Sequence, residues 1–394
     1  MLVEIHMIQN VAPSCLNRDD TNSPKDCEFG GHRRARISSQ CLKRAVRTSK
    51  VFKDGVSNDT GIRTKMYADL IKRGLTDRGK DESLAEIISK AVATYLYGKM
   101  DDKGGKVLMF LSHNELGDIH KILTDNWDTL SQTSSTSDGD APIEKKPGKK
   151  GKASGKLDQA VETIFKSYHP SRVSPDVALF GRMVTEKTDL NVDAACQVAH
   201  AISTNKANIE MDFFTAVDDL KGDDDPGAGM MGTIQFTSPC FYRYSVLDSE
   251  QLRKNLGGDA KLTVETVIAF VKASIRVLPS GKQNSMAAWN PPSMVLVCLK
   301  ESGQPMSLAN AFVKPVSTYN SNGRDLVQES IVRALEYQSK ALRMFGRSGL
   351  VLNEVCLLDE VDQNLLKDVK IDSGIDDLVS VLEGALNERL GLKV

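Results

Sequence analysis

Between Phe29 and Lys53 the chain reads FGGHRRARISSQCLKRAVRTSKVFK, with eight lysines and arginines and no aspartate or glutamate. Cations at this density hold phosphate oxygens well, through charge-assisted hydrogen bonds. The full 394 residues carry a formal net charge of -1. The block is therefore a segregated patch and not a sample of a generally basic surface. Surface helices usually mix signs, so an acid-free run departs from an ordinary solvated face. Arg18, Lys25, Arg33, Arg34 and Arg36 lie ahead of the helical part of the block. Ser38 and Gln40 add neutral groups suited to phosphate or ribose.

Three smaller groups could add base contacts. In Gly181-Arg182-Met183 the glycine permits close backbone approach, Arg182 reaches a phosphate, and Met183 is a flexible apolar wedge. Phe213 and Phe214 are adjacent. On a strand they point to opposite faces, so one can bury while the other stacks on a base. The loop GKQNSMAAWNPPSM places Lys282, Gln283 and Asn284 near Trp289. Other chemistries fit poorly. Asp218, Asp219, Asp223, Asp224 and Asp225 lack the alternation and closing glutamate of a calcium loop. GKKGKASGK resembles a phosphate-binding loop superficially, but Leu157 stands where Ser or Thr should follow the lysine. The six histidines form no HExxH pair, and the seven scattered cysteines contain no CxxC, which predicts reduced and mostly buried thiols.

The elements that must position these residues follow from local pattern. Ser38 or Ser39 is a candidate N-cap for a helix beginning near Gln40. Helical spacing then puts Gln40, Lys43, Arg47 and Lys50 on one face, with Leu42, Ala45 and Val46 turned toward a core. Val3, Ile5 and Met7 alternate with Glu4 and His6, which predicts an opening strand. Residues 12–31 read as a long turn-rich loop, residues 60–123 as helical, and 131–156 as a disordered loop with almost no apolar side chains. Strands are expected in the 177–184 segment, at 233–246 with a bend or edge at Pro239, and at 293–299, with a helix at 262–278. Strand, helix, strand, strand, helix, strand is the order of a ferredoxin-like α+β core with a helical insertion. A helix at 326–345, a strand at 350–358 and a helix near 375–390 complete the tail. MLVEIHMIQNV lacks the features of a secretion signal and no stretch is long enough to span a bilayer, so a cytoplasmic protein is expected.

The strings PSCLNRDD (13–20), FGG with RRARISSQCLKRAVR (29–47), ALFGRM (178–183), AHAIST and FFTAVDDL (199–220), FYRY (241–244) and PMSLANAF (305–312) occur in order along the chain. On these, the chain resembles the backbone subunit family of Cascade, the type I-E RNA-guided CRISPR surveillance complex. The resemblance implies a ferredoxin-like, RNA-recognition-like (RRM-like) palm, helical fingers and a β-hairpin thumb. The implied division is palm at 1–50, 171–206 and 233–394 with the C-terminal elements, fingers at 51–170 and thumb at 207–232. It also implies that Ser38, Gln40, Lys43, Arg44 and Arg47 hold RNA phosphates, with Arg18 and Lys25 in the leading loop. Met183 would pack on bases near each kink, and Phe213, Phe214 and Thr215 would fold over the RNA and displace a base. Phe213 stands where the family has Trp.

The implied function is non-catalytic antiviral defence within a ribonucleoprotein. Copies oligomerise head to tail along guide RNA (crRNA), target DNA is met through the guide, and other Cascade subunits complete the complex. No cofactor and no membrane partner are expected. Related type III backbone subunits cleave RNA with a loop aspartate, which here would be Asp19, Asp20 or Asp26 with a metal. The longer string match favours the non-cleaving branch.

Overall fold

Leu2–Asn10 is the strand around which the larger part of the molecule is built. The computed structural model describes residues 1–101, 104–135, 155–217, 219–220, 230–317 and 323–392. They fall into two units: Met1–Ser57, Cys196–Glu250 and Ala260–Val394 form the first, and Asn58–Ala195 with Gln251–Asp259 the second.

In the first unit Leu2–Asn10 pairs antiparallel with Cys240–Asp248 on one side and with Met294–Lys300 on the other. Beyond Met294–Lys300 come Leu350–Leu357 and then Lys370–Ile371. Beyond Cys240–Asp248 come Cys196–Val198 and Ala201–Ser203, then His32–Ile37 and Asp26–Phe29. Alternation sends neighbouring side chains to opposite faces, and both faces are covered. Met7 meets Leu42 and Val46 of helix Ser39–Thr48 and Phe270 of helix Ala260–Arg276 around one small gap. Ile8, one residue on, packs with Tyr242, Leu296, Phe312, Ile331 and Leu335, the last two from helix Leu326–Phe345. Glu4 and His6 are buried, so their polar atoms need partners. Glu4 pairs with Lys300 at 2.5 Å and accepts from the Tyr244 hydroxyl at 2.8 Å. The Tyr242 hydroxyl accepts from the Leu308 amide at 2.8 Å and is hydrogen-bonded to His6 Nδ1 at 2.9 Å. Burial, with Lys300 nearby, pulls the His6 pKa down to about 4, against the opposing pull of Glu4.

Three segments differ from the pattern reading. The 177–184 segment is helical: Pro175–Phe180 starts with Pro175 at its first position after Ser174, where a missing N–H costs nothing. The strand expected there is supplied by Cys196–Val198 and Ala201–Ser203. The 233–246 run is two strands, Met230–Phe236 and Cys240–Asp248, separated at Pro239. The 12–31 loop ends in a hairpin, Asp26–Phe29 with His32–Ile37. Gly30 and Gly31 form its turn with φ of 61° and 73°, the conformation two-residue hairpins need. A Cβ at Gly30 would lie 2.2 Å from the Val313 carbonyl oxygen.

The second unit is mainly helical. Helices Tyr67–Thr76, Glu82–Tyr97, His113–Asp125, Trp127–Ser135 and Lys156–Phe165 enclose a core that includes Ile71, Val92, Leu96, Ile119 and Phe165. Of the loop expected at 131–156, residues 136–154 lie outside the described residues, while 131–135 and 156 are helical. Among the described residues no helix is long and apolar enough to cross a membrane.

Candidate nucleic-acid interface

The basic block is divided between two elements with different fates. On the strand His32–Ile37 the cations turn to protein. Arg34 is fully buried and donates to the carbonyls of Ser203 at 2.9 Å, Thr204 at 2.7 Å, Phe312 at 2.6 Å and Val313 at 3.1 Å. Arg33 pairs with Asp26. Arg36 donates Nε to the Asp26 carbonyl at 3.1 Å.

The helix Ser39–Thr48 has Ser38 as its N-cap, its hydroxyl accepting from the Cys41 amide at 3.3 Å. The Asn17 side chain accepts from the Ser38 amide at 2.8 Å, which ties the leading loop to the helix start. Ser38 itself is buried, so its oxygen serves the helix. Leu42 and Val46 face the core as their spacing required. The helix ends at Thr48 because Ser49 caps a second helix, Lys50–Gly55. Lys50 therefore leaves the expected face and pairs with Asp54 at 2.5 Å. Gln40 and Arg44 are exposed, whereas Lys43 and Arg47 are half-buried.

Beside this helix lies a cleft of about 440 Å3 lined by Arg18, Asp19, Asn22, Cys41, Arg44, Thr48 and the 279–281 turn. Arg18 is held by Asn22, whose Oδ1 accepts from Nη1 at 2.8 Å. Close contact fixes the far wall: a Cβ on Gly281 would come within 2.4 Å of the Leu16 carbonyl oxygen. Lys282 follows in a left-handed conformation with φ of 54°. Burial pushes the Cys15 thiol up, while the charges of Arg18 and Lys282 pull it back. The structure thus brings Arg18, Arg44 and Lys282 to one neighbourhood. Lys25 lies toward the helix start with Arg36 and His200, and both cations hold the His200 imidazole below its ordinary pKa after burial itself.

Two of the three loop acids, Asp19 and Asp26, are engaged locally. Asp19 Oδ1 accepts from the Thr21 amide at 2.9 Å, the Thr21 hydroxyl at 2.8 Å and the Ser23 amide at 2.9 Å, which keeps its carboxyl below the usual range. Asp26 is paired with Arg33, and Asp20 is exposed. Among the described residues no group of three or more His, Cys, Asp and Glu side chains could hold a metal ion.

Glu210–Ala216 and Met230–Phe236 form a separate two-stranded hairpin. Phe213, opposite Thr233, is 63% exposed. Phe214 turns to the other face, half-buried, with its ring over Gly232, where a Cβ would meet it at 2.6 Å. Thr215 is exposed opposite Met231. Asp219 is a turn residue; Asp218, Asp223, Asp224 and Asp225 lie outside the described residues.

Arg182 and Met183 belong to the second unit. Arg182, expected at a phosphate, is buried instead: Nη1 contacts both Glu115 oxygens at 2.6 and 2.7 Å and Nη2 donates to Leu190 at 2.8 Å. Glu115 also closes the capping box of helix His113–Asp125 with Ser112. Met183, its neighbour, is 76% exposed. Trp289 is exposed at a cleft with Arg276 and Ile375.

Pattern reading did not single out Asn17 or His200 as site residues. The string AHAIST contained His200, but its position beside Ser39 depends on pairing between Ala201–Ser203 and His32–Ile37, which no local signal encodes.

No curated protein matches the chain. Among solved structures it is similar to a chain of a "CRISPR RNA-guided surveillance complex, pre-nicking", with a TM-score of 0.78 and 28% identity over 98% of this chain and 100% of that one. It is also similar in fold to a chain of a "CRISPR RNA-guided surveillance complex", with a TM-score of 0.69 and 24% identity over 98% and 100% of the two chains. Residues 3–381 match the family described as CT1975-like protein, and the chain belongs to that family.

Proposed function

We propose that this protein is the guide-RNA-binding backbone subunit of a type I-E surveillance complex, that it performs no covalent chemistry, and that copies line up head to tail along the guide. The carrying observation is the cleft that sets Arg18 and Arg44 in the open beside an acid-free helix, in a chain similar throughout its length to one from an RNA-guided surveillance complex. Single-stranded RNA supplies phosphates at regular spacing, and neutralising them is independent of base identity. The sheet supports the reading of a ferredoxin-like, RNA-recognition-like palm. Its core strands lie in the spatial order fourth, first, third, second, all antiparallel. Phe213 on the two-stranded hairpin is the group that displaces a base, with Thr215 on the same strand, and exposed Met183 of the second unit is a group that packs on bases. Specificity for target DNA then comes from base pairing with the guide.

Two of the three loop acids favour binding over cleavage, because Asp19 organises its own turn and Asp26 neutralises Arg33, which leaves exposed Asp20 as the acid the cleaving alternative would use. Purification of the protein from cells expressing a CRISPR array tests the reading. Co-purified RNA of one defined length with a repeat-derived end is expected; heterogeneous cellular RNA would contradict it. Complementary RNA added to the complex with magnesium should stay whole, whereas regularly spaced fragments would restore the cleaving alternative.

A further inference from the structure

We infer that His200 is a nucleic-acid contact, donating its Nε2–H to a phosphate oxygen of the bound strand in a seat completed by Arg36 and Lys25. This rests on the RNA-binding role proposed above and adds a neutral donor to it. His200 is exposed, between the strands Cys196–Val198 and Ala201–Ser203. The Ser39 amide donates to its Nδ1 at 3.3 Å, and Arg36 Nη1 lies 3.2 Å from the same nitrogen. An amide N–H and a guanidinium are donors only, so Nδ1 accepts and the proton of the neutral ring sits on Nε2. Among the described residues Nε2 has no hydrogen-bond partner.

The charged groups facing the ring are Arg36, from the strand His32–Ile37, and Lys25, from the leading loop. Neither forms an ion pair among the described residues, and Asp26, whose carbonyl receives Arg36 Nε, directs its carboxylate to Arg33. With burial, these two cations hold the imidazole below its ordinary value of 6.5, so the neutral donor is the form present near pH 7. Two cations and one oriented N–H, with no acceptor among them, complement the oxygens of a phosphodiester. A histidine serving only to cap Ser39 would need neither cation nor a fixed Nε2–H.

Binding of a fluorescent single-stranded RNA to the full chain separates the two roles. His200→Asn places an oxygen near Nδ1, keeping the cap, and nothing at Nε2. His200→Gln can place an amide N–H near Nε2. About a tenfold loss of affinity is expected for His200→Asn, with most of it recovered in His200→Gln. Both variants should keep the wild-type salt slope, since a neutral donor releases no counterion, whereas Lys25→Ala and Arg36→Ala should each flatten it by about 0.7. The ratio of wild-type to His200→Asn affinity should hold constant from about pH 7 to 8.5, where the ring is neutral. Wild-type affinity in His200→Asn, or equal losses in the Asn and Gln variants, would overturn the contact while leaving the RNA-binding role standing. Failure of the wild-type protein to bind RNA would overturn both.

Discussion

The strand His32–Ile37 and the helix Ser39–Thr48 each carry three cations, Arg33, Arg34 and Arg36 against Lys43, Arg44 and Arg47, yet Arg33 and Arg34 of the strand are turned to protein partners while Arg44 of the helix stays exposed. The strand lies inside a sheet, paired on both sides, so Arg34 is turned to backbone carbonyls of Thr204 and Phe312 and Arg33 meets Asp26 of the neighbouring strand. The helix covers one face of that sheet, so only its Leu42 side is interior, and Arg44 stands at an open cleft. Charge density marks where phosphate binding is possible; secondary structure decides which charges remain available for it. GRM repeats the lesson in the second unit, where Arg182 is interior and Met183 exposed.

Arg34→Ala should have the largest effect. Removing this fully buried guanidinium takes a donor from four carbonyls, of which Thr204 keeps the Val316 amide at 2.9 Å, and should cost about 4 kcal/mol of stability, read by denaturant unfolding. Arg44→Ala should stay within about 0.5 kcal/mol of wild type while weakening RNA binding. Equal stability losses in the two variants would erase the division between strand and helix. Glu115→Gln should cost about 3 kcal/mol by stranding the Arg182 guanidinium inside the second unit, with no direct effect on RNA affinity.

The same division holds for histidines. His6 is interior with a folded pKa of about 4, below the unfolded value near 6.5, so the unfolded chain takes up the proton first as pH falls. Its contribution to stability is full above about pH 6.5 and is lost progressively toward pH 4, by about 3 kcal/mol at most. A pH series of unfolding midpoints in wild type and His6→Gln should show this segment of the slope disappearing in the variant. Ser38→Ala should lose about 1 kcal/mol as a missing N-cap while changing RNA affinity little.

How much of this was legible in the sequence follows from the range of the interactions. The cap at Ser38, the inward Leu42 and Val46, and the tail elements Leu326–Phe345, Leu350–Leu357 and Ile375–Leu390 depend on neighbours within a turn or two, and pattern located them. The role of Arg34 depends on acceptors 169 to 279 residues away, and nothing beside it signals them. Lys50 was misplaced because Ser49, a second cap signal inside the run, was read through as helix. The Gly30-Gly31 turn is visible between two short alternating segments and signals the hairpin, hence that the start of the block is strand. In the candidate site, Arg18, Arg44 and Lys282 come from three distant segments whose convergence is a property of the fold alone.

A salt titration of single-stranded RNA affinity, comparing wild type with Arg18→Glu combined with Arg44→Glu, tests the backbone-clamp reading most directly. Wild type should show a steep fall of log affinity with log salt, nearly the same for unrelated RNA sequences. The double variant should bind far more weakly, with a slope shallower by about 1.4 for the two lost phosphate contacts. Unchanged affinity and slope in the double variant would contradict the assignment of this cleft to the guide backbone.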